Sequence, residues 1–188
     1  LNQSGIPLIS WVDREADGAA VLKFAKWQGN EWSPPREIVR GKTWFVNWAD
    51  YPTMAVLDDG TLAVHWLDKI SSDTYAYGIK ISLSRDGGET WSDPVIPHSD
   101  RSPSEHGFLS LKSVGERFHL AWLDGRETLK GKPMTLRSRY LSADGTIEIK
   151  GWDGTNSDPA SNFYVYKIIG VRINDEVVTK TGTIFLIQ

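Results

Sequence analysis

The residues best suited to chemistry in this chain of 188 lie in its connectors. The densest is Thr43-Trp44-Phe45-Val46-Asn47-Trp48-Ala49-Asp50-Tyr51, which sets four aromatic rings beside an amide and a carboxylate. Aromatic faces stack on sugar C–H surfaces, and Asn and Asp hydrogen-bond hydroxyls. Trp44, Asn47, Trp48 and Asp50 are therefore candidate carbohydrate-binding residues, with Trp44 and Trp48 equally able to plug a junction between elements. Arg126, in Asp124-Gly125-Arg126-Glu127, completes the candidate set. Its guanidinium can grip a substrate carboxylate in bidentate fashion, or be neutralised in its own loop by Asp124 or Glu127. Glu105-His106 joins an imidazole to a carboxylate, as acid–base chemistry needs, although a solvated loop explains the pair as well. Asp153, Asn156 and Asp158 carry oxygens suited to calcium, and an Asx-rich turn accounts for the same residues. No metal site, cofactor or catalytic residue is assigned, because no metal-ligand spacing, phosphate loop or Ser-His-Asp arrangement is present.

The composition removes several classes. With 21 basic and 24 acidic residues the formal net charge is -3, so a nucleic-acid partner is not expected. Cysteine is absent, which excludes disulfide scaffolds, thiolate zinc sites and cysteine nucleophiles. No apolar run approaches the roughly 20 residues of a membrane-spanning helix. The chain opens at Leu1 without a signal-peptide pattern, and the expectation is a mature product or a fragment. Nine Trp stand beside 17 Gly and 9 Pro, a balance that suits short strands joined by turns.

The elements that hold these connectors repeat. Ile9-Ser10-Trp11-Val12-Asp13 returns as Val64-His65-Trp66-Leu67-Asp68 and as Leu120-Ala121-Trp122-Leu123-Asp124, so the Trp residues stand 55 and 56 positions apart. Leu22-Lys23-Phe24 returns as Ile79-Lys80-Ile81 and Leu136-Arg137-Ser138, 57 apart each time. Two markers sharing one long period suit a four-stranded propeller blade. In the middle repeat the strands are predicted at 53–57, 62–67, 77–83 and 91–96, with a tight turn at Asp58-Asp59-Gly60. The chain is predicted to enter the first blade at its second strand. The third blade should run from about Phe108, with an uncertain fourth strand. The loops between second and third strands then share a face with the blade-to-blade connectors, so that face is where the candidate residues should gather.

Ser84-Arg85-Asp86-Gly87-Gly88-Glu89-Thr90-Trp91 fits Ser-x-Asp-x-Gly-x-Thr-Trp at every defined position. It resembles the Asp box, or BNR repeat, of sialidase-like β-propellers. The resemblance covers about residues 5–147 and gives Ser84, Asp86, Gly88, Thr90 and Trp91 a structural role away from any catalytic centre. Residues 25–32 occupy the same place in the first blade with only Gly29 and Trp32 matching, and Ser142 to Thr146 is a further degenerate copy. The Phe/Tyr-Arg-Ile-Pro motif of sialidases is absent.

Past Ile147 the repeat stops. Gly151-Trp152-Asp153-Gly154-Thr155, then 163–168 and 181–187, resemble the end of a type IX secretion sorting domain of Bacteroidetes, the type B or gliding-motility-associated kind. They are also similar to the Ig-like domain of flagellar hook-capping proteins. The departures are a missing first half and Ala160-Ser161-Asn162 where Pro-Ser-Gly is usual. A plain β-hairpin covering an open blade edge is the other reading.

The expected fold is all-β: a partial sialidase-like propeller of about three four-stranded blades over 1–147, then a small β-sandwich-like segment over 148–188. The expected function is a secreted or bacterial cell-surface protein that acts on or binds glycans, an exo-sialidase-like glycoside hydrolase if catalytic. The alternatives are a non-catalytic glycan- or protein-binding propeller and an inactive truncated or joined fragment. The secretion machinery is an expected partner of the C-terminal segment.

Overall fold

Alternating apolar and polar residues, broken every few positions by glycine and Asx turns, draw this chain into antiparallel strands. In the computed structural model the described residues are 5–148, together with the strand backbones 163–171 and 177–185. The first sheet runs β1 (Leu8–Arg14), β2 (Ala20–Lys26) and β3 (Arg36–Gly41). The second runs β4 (Met54–Val56), β5 (Leu62–Lys69) and β6 (Tyr77–Ser84). The third has four strands in meander order: β7 (His106–Val114), β8 (Arg117–Asp124), β9 (Thr135–Ser142) and β10 (Ile147–Glu148). Every neighbouring pair is antiparallel. The fold is all-β, a partial propeller whose blades follow the repeat.

The chain divides into two compact units, Leu1–Asp153 and Gly154–Gln188. The second contains β11 (Phe163–Val171) and β12 (Val177–Phe185), paired antiparallel from Phe163 opposite Phe185 to Val171 opposite Val177. The expected Trp152-Asp153-Gly154 turn, the Asp153, Asn156 and Asp158 oxygens and the Ala160-Ser161-Asn162 departure lie outside the described residues.

The outer strands depart from expectation. The predicted strand 91–96 is reduced to a bridge between Val95 and Ile81, with N···O distances of 2.9 and 2.8 Å. Pro94 has no N–H to give a ladder, and Ser92 substitutes locally, accepting from Leu83 N through its hydroxyl at 3.0 Å. In the third blade the fourth strand shrinks to Ile147–Glu148, and the first strand begins at His106, two residues before Phe108.

Adjacent blades meet through matched faces. Ala20 and Leu22 on β2 meet Val64 and Trp66 on β5, with Trp44 in the same cluster. Ile79, Ile81 and Leu83 on β6 meet Phe118, Leu120 and Trp122 on β8. Trp66 is 3% exposed and Trp122 1%. Opposite each repeated Trp the next strand places a cation: Lys23 faces Trp11, Lys80 faces Trp66, Arg137 faces Trp122. The Asp two residues after each Trp takes that cation, at 2.9 Å for Lys23–Asp13 and 3.6 Å for Arg137–Asp124, with Lys80 on Asp68 between them. Trp122 Nε1 also donates to Asp124 at 3.0 Å, so the buried indole N–H is satisfied. The repeated Trp-x-Asp is therefore a packing unit.

The turn 84–91 closes on Asp86. Ser84 Oγ donates to Asp86 Oδ1 at 2.7 Å, and the amides of Glu89 and Thr90 each donate to it at 3.0 Å. The Thr90 hydroxyl and amide, with Ser84, hold the Asp86 carboxyl well below the usual range. Gly88 N donates back to Ser84 Oγ at 2.7 Å. The turn also touches the first blade: Trp91 meets Phe24 edge to face at 5.9 Å, and a Cβ on Gly88 would stand 2.2 Å from Phe24 Cζ. Gly87 and Gly88 both have positive φ, but a Cβ on Gly87 would meet only the flexible Lys26 Nζ, at 3.0 Å. Gly88→Ala should therefore cost about 2–3 kcal/mol and clearly more than Gly87→Ala, measured by thermal denaturation. Equal losses would mean that backbone strain alone, and not the blade contact, selects glycine there.

Candidate functional site

The connectors after β3 and before β7 bring several candidate side chains to the expected face, each with a different partner. Trp44 is buried: its ring lies on Trp66 with centroids 5.7 Å apart, and it occupies the space a Cβ on Gly41 would need. Its ring surface belongs to the blade junction. Four residues on, Trp48 is 90% exposed. Asn47 Oδ1 accepts from Ala49 N at 2.8 Å, an Asx turn that presents Trp48 to solvent. Tyr51 and Tyr75 are exposed on the neighbouring loops.

Asp50 turns inward and is 4% exposed. Its Oδ2 accepts from Phe108 N at 2.7 Å, and a Cβ on Gly107 would lie 2.2 Å from that oxygen. Phe108 has a φ of 50°, and the pairing of β7 with β8 shifts register between Gly107 and Ser110. Asp50 thus pins the kinked start of β7. Burial raises its pKa and the nearby Glu105 adds to this, against the Phe108 hydrogen bond. Glu105 accepts from the Tyr77 hydroxyl at 2.6 Å. The Tyr77 ring stacks on Phe45 at 4.1 Å, and burial together with Glu105 pushes its hydroxyl far above the usual range.

Arg126 does not reach outward. Its Nε and Nη2 donate to the two oxygens of Asp124 at 2.6 and 2.8 Å. Asp124 is fully buried, with His106 Nε2 3.8 Å away. Burial works against its charge, but Arg126, Trp122 and His106 together bring its pKa to about 2. Asp50, Asn47 and Arg126 therefore share no hydrogen-bond partner.

Glu105-His106 is not a solvated loop: His106 is completely buried. It stacks on His98 with ring centroids 4.1 Å apart, and its Nδ1 lies 3.2 Å from Ser104 O. Its Nε2 stands 3.0 Å from Asp100 Oδ2, outside hydrogen-bonding geometry. His98 Nδ1 reaches Asp100 O at 2.8 Å and its Nε2 accepts from Ile79 N at 3.2 Å, a pattern that fits the neutral ring. Sequence reasoning missed this cluster because its members come from three separate segments. The one signal was the run of His, Asp, Arg, Ser and Glu over 98–106.

Two concavities open at these residues. One, of about 450 Å³, lies between β1, β4 and β7, lined by Ser10, Tyr51, Thr53, Met54, Leu111 and Lys112. The other, of about 430 Å³, is bounded by Asp73, Thr74, Tyr75, Ser104, Glu105 and Met134. The second places an exposed aromatic ring beside a carboxylate.

No protein-family model and no curated protein matches the sequence. Solved structures share the fold. The α-L-arabinanase of Penicillium chrysogenum complexed with arabinobiose aligns with a TM-score of 0.55 at 15% identity, over 86% of this chain and 49% of that one. The α-L-arabinofuranosidase of Fusarium graminearum, also with arabinobiose, aligns with a TM-score of 0.52 at 14% identity, over 94% and 53%. The chain thus spans about half the length of either enzyme. At this identity the likeness is one of fold.

The buried imidazoles give the molecule an acid limit. Burial lowers His65 to about 4, and burial with the His106 charge lowers His98 to about 4. Each is neutral in the native state while the unfolded ring takes a proton near pH 6.5. Their contribution is complete above pH 6.5 and is lost as pH falls from there to 4, by roughly 3 kcal/mol each at most. Urea midpoints at pH 7, 5.5 and 4.5 should fall steadily. In His98→Gln, whose amide oxygen can accept from Ile79 N, the fall should be shallower. An unchanged slope would remove His98 from this account.

Proposed function

We propose that this chain is part of a glycan-acting propeller, with the carboxylates of Asp50 and Glu105 as its functional pair and Trp48, Tyr51 and Tyr75 as sugar platforms. The observation that carries the reading is a buried Asp50, its pKa raised by burial and by the nearby Glu105, with Glu105 itself held by the Tyr77 hydroxyl at 2.6 Å. Glycoside hydrolysis uses a pair of carboxyl groups held in unlike environments. The fold shared with an α-L-arabinanase and an α-L-arabinofuranosidase supports the same direction.

Within this reading neutral sugars are favoured over sialic acid. Sialidase-type recognition calls for an arginine open to a carboxylate, and Arg126 is closed on Asp124. The Asp-box resemblance contributes architecture, supported by the hydrogen bonds to Asp86. Secretion, or display on a bacterial surface, belongs to the same proposal. Its support is the sequence pattern of 151–187, with residues 148–188 as the segment met by the export machinery.

A second reading, a non-catalytic glycan-binding propeller, is favoured by one specific observation: Asp50 and Glu105 are both already engaged by Phe108 N and Tyr77. Aryl arabinofuranosides and sialosides should be compared as substrates, with arabinan binding measured in parallel. The enzymatic reading expects arabinoside turnover reduced at least about 100-fold by Asp50→Asn, without loss of fold. Binding that needs Trp48 but no turnover would select the second reading, and neither turnover nor binding would end both.

A further inference from the structure

The Glu105 side chain rests on a single anchor. Asp124 accepts from Arg126 and from Trp122, and Asp100 from both the hydroxyl and the amide of Ser102. Glu105 is half-buried and lines the concavity of about 430 Å³. Among the described residues its carboxylate takes one hydrogen bond, from the Tyr77 hydroxyl at 2.6 Å, and no ion pair. Its main chain is fixed independently. Glu105 O accepts from Gly125 N at 2.7 Å, and residue 105 forms a parallel bridge with Tyr77. The backbone is thus placed by the fold, while the direction of the side chain is set by Tyr77 alone.

Tyr77 is a rigid post for that bond. It is buried at the start of β6, and its ring lies on Phe45 with planes 12° apart. Its edge also reaches the second carboxyl. A Cβ on Gly107 would stand 2.8 Å from Tyr77 Cε2 and 2.2 Å from Asp50 Oδ2, so the bare backbone there lets phenol and carboxyl share one spot. Gly107 has no positive φ, and space alone selects glycine. Burial, with Glu105 and Asp50 beside it, pushes the Tyr77 hydroxyl far above its usual range, so it stays the donor in its hydrogen bond.

We propose that Tyr77 is the positioning residue of this site: its hydroxyl turns the Glu105 carboxylate to the one orientation that the reaction uses. The inference rests on the enzymatic reading above. A glutamate side chain has several staggered rotamers, and a reacting group misplaced by about 1 Å loses much of its effect. The bond occupies Glu105 Oε1 and leaves Oε2 for the substrate. Tyr77 itself is 1% exposed and touches no sugar. Loss of its hydroxyl is therefore felt in the chemical step and not in substrate binding.

The test is turnover of an aryl arabinofuranoside by this chain and by Tyr77→Phe, which removes the hydroxyl and keeps the stacked ring. The expected result is a kcat lower by about 10- to 100-fold, with KM within about twofold and an unchanged far-UV spectrum. Glu105→Asp, which draws the carboxylate back from the hydroxyl, should also lower kcat. In the double variant the two losses should not multiply, because both remove one contact. Should Tyr77→Phe fail to fold, 3-fluorotyrosine at position 77 keeps the ring and makes its hydroxyl more acidic. It should lower kcat about threefold at constant KM, and an unchanged kcat there overturns the proposal. Turnover by the parent that Tyr77→Phe matches overturns this inference and leaves the enzymatic reading standing. Losses that multiply, or a change in KM alone, do the same. A parent without turnover ends the enzymatic reading and this inference together.

Discussion

A tryptophan on the second strand of a blade needs an apolar wall for its ring and an acceptor for its indole N–H. The rest of this structure follows from meeting both needs at once. The wall is the preceding blade: Leu22 for Trp66, Ile79 and Ile81 for Trp122. The acceptor is the Asp two residues later, seen directly in the 3.0 Å contact between Trp122 Nε1 and Asp124. That Asp is tethered in turn by a cation on the neighbouring strand, which holds the second-to-third-strand loop above it. One short pattern thus sets the packing between blades, the register within them and the root of the loops that could meet a ligand.

The same economy governs the polar residues of that face. A carboxylate drawn into a half-buried loop must find donors, and it takes the nearest ones the fold provides. Asp50 finds the amide of Phe108, Glu105 the hydroxyl of Tyr77 and Asp124 the guanidinium of Arg126. These bonds orient the carboxylates, and they also decide what remains for a ligand. The exposed rings of Trp48, Tyr51 and Tyr75 stay open, while Arg126 does not.

Much of the architecture was legible because it is periodic. The 57-residue spacing of Lys23, Lys80 and Arg137 places each opposite its Trp, as the pairing shows. The turn at 84–91 was legible because its hydrogen bonds are local. The strand expected at 91–96 is cut to a bridge at Val95, because Pro94 has no N–H to give a ladder. The contrast between Trp44 and Trp48 was not legible, since an Asx turn at Asn47 sends neighbours of one type to the core and to solvent. Burial of His106 was hidden for a different reason: its surroundings come from 98–104 and from Asp124, and no local pattern reports such contacts.

The central claim is that each repeated tryptophan holds a blade to the one before it, and it is tested most directly by replacing the three in turn. Unfolding free energies of Trp11→Ala, Trp66→Ala and Trp122→Ala should be compared under the same conditions. The account predicts losses of about 3–5 kcal/mol at Trp66 and Trp122, the range for emptying a core of a large aromatic. It predicts a much smaller loss at Trp11, which is only half-buried. Equal losses at all three positions, or a tolerant Trp66, would contradict it.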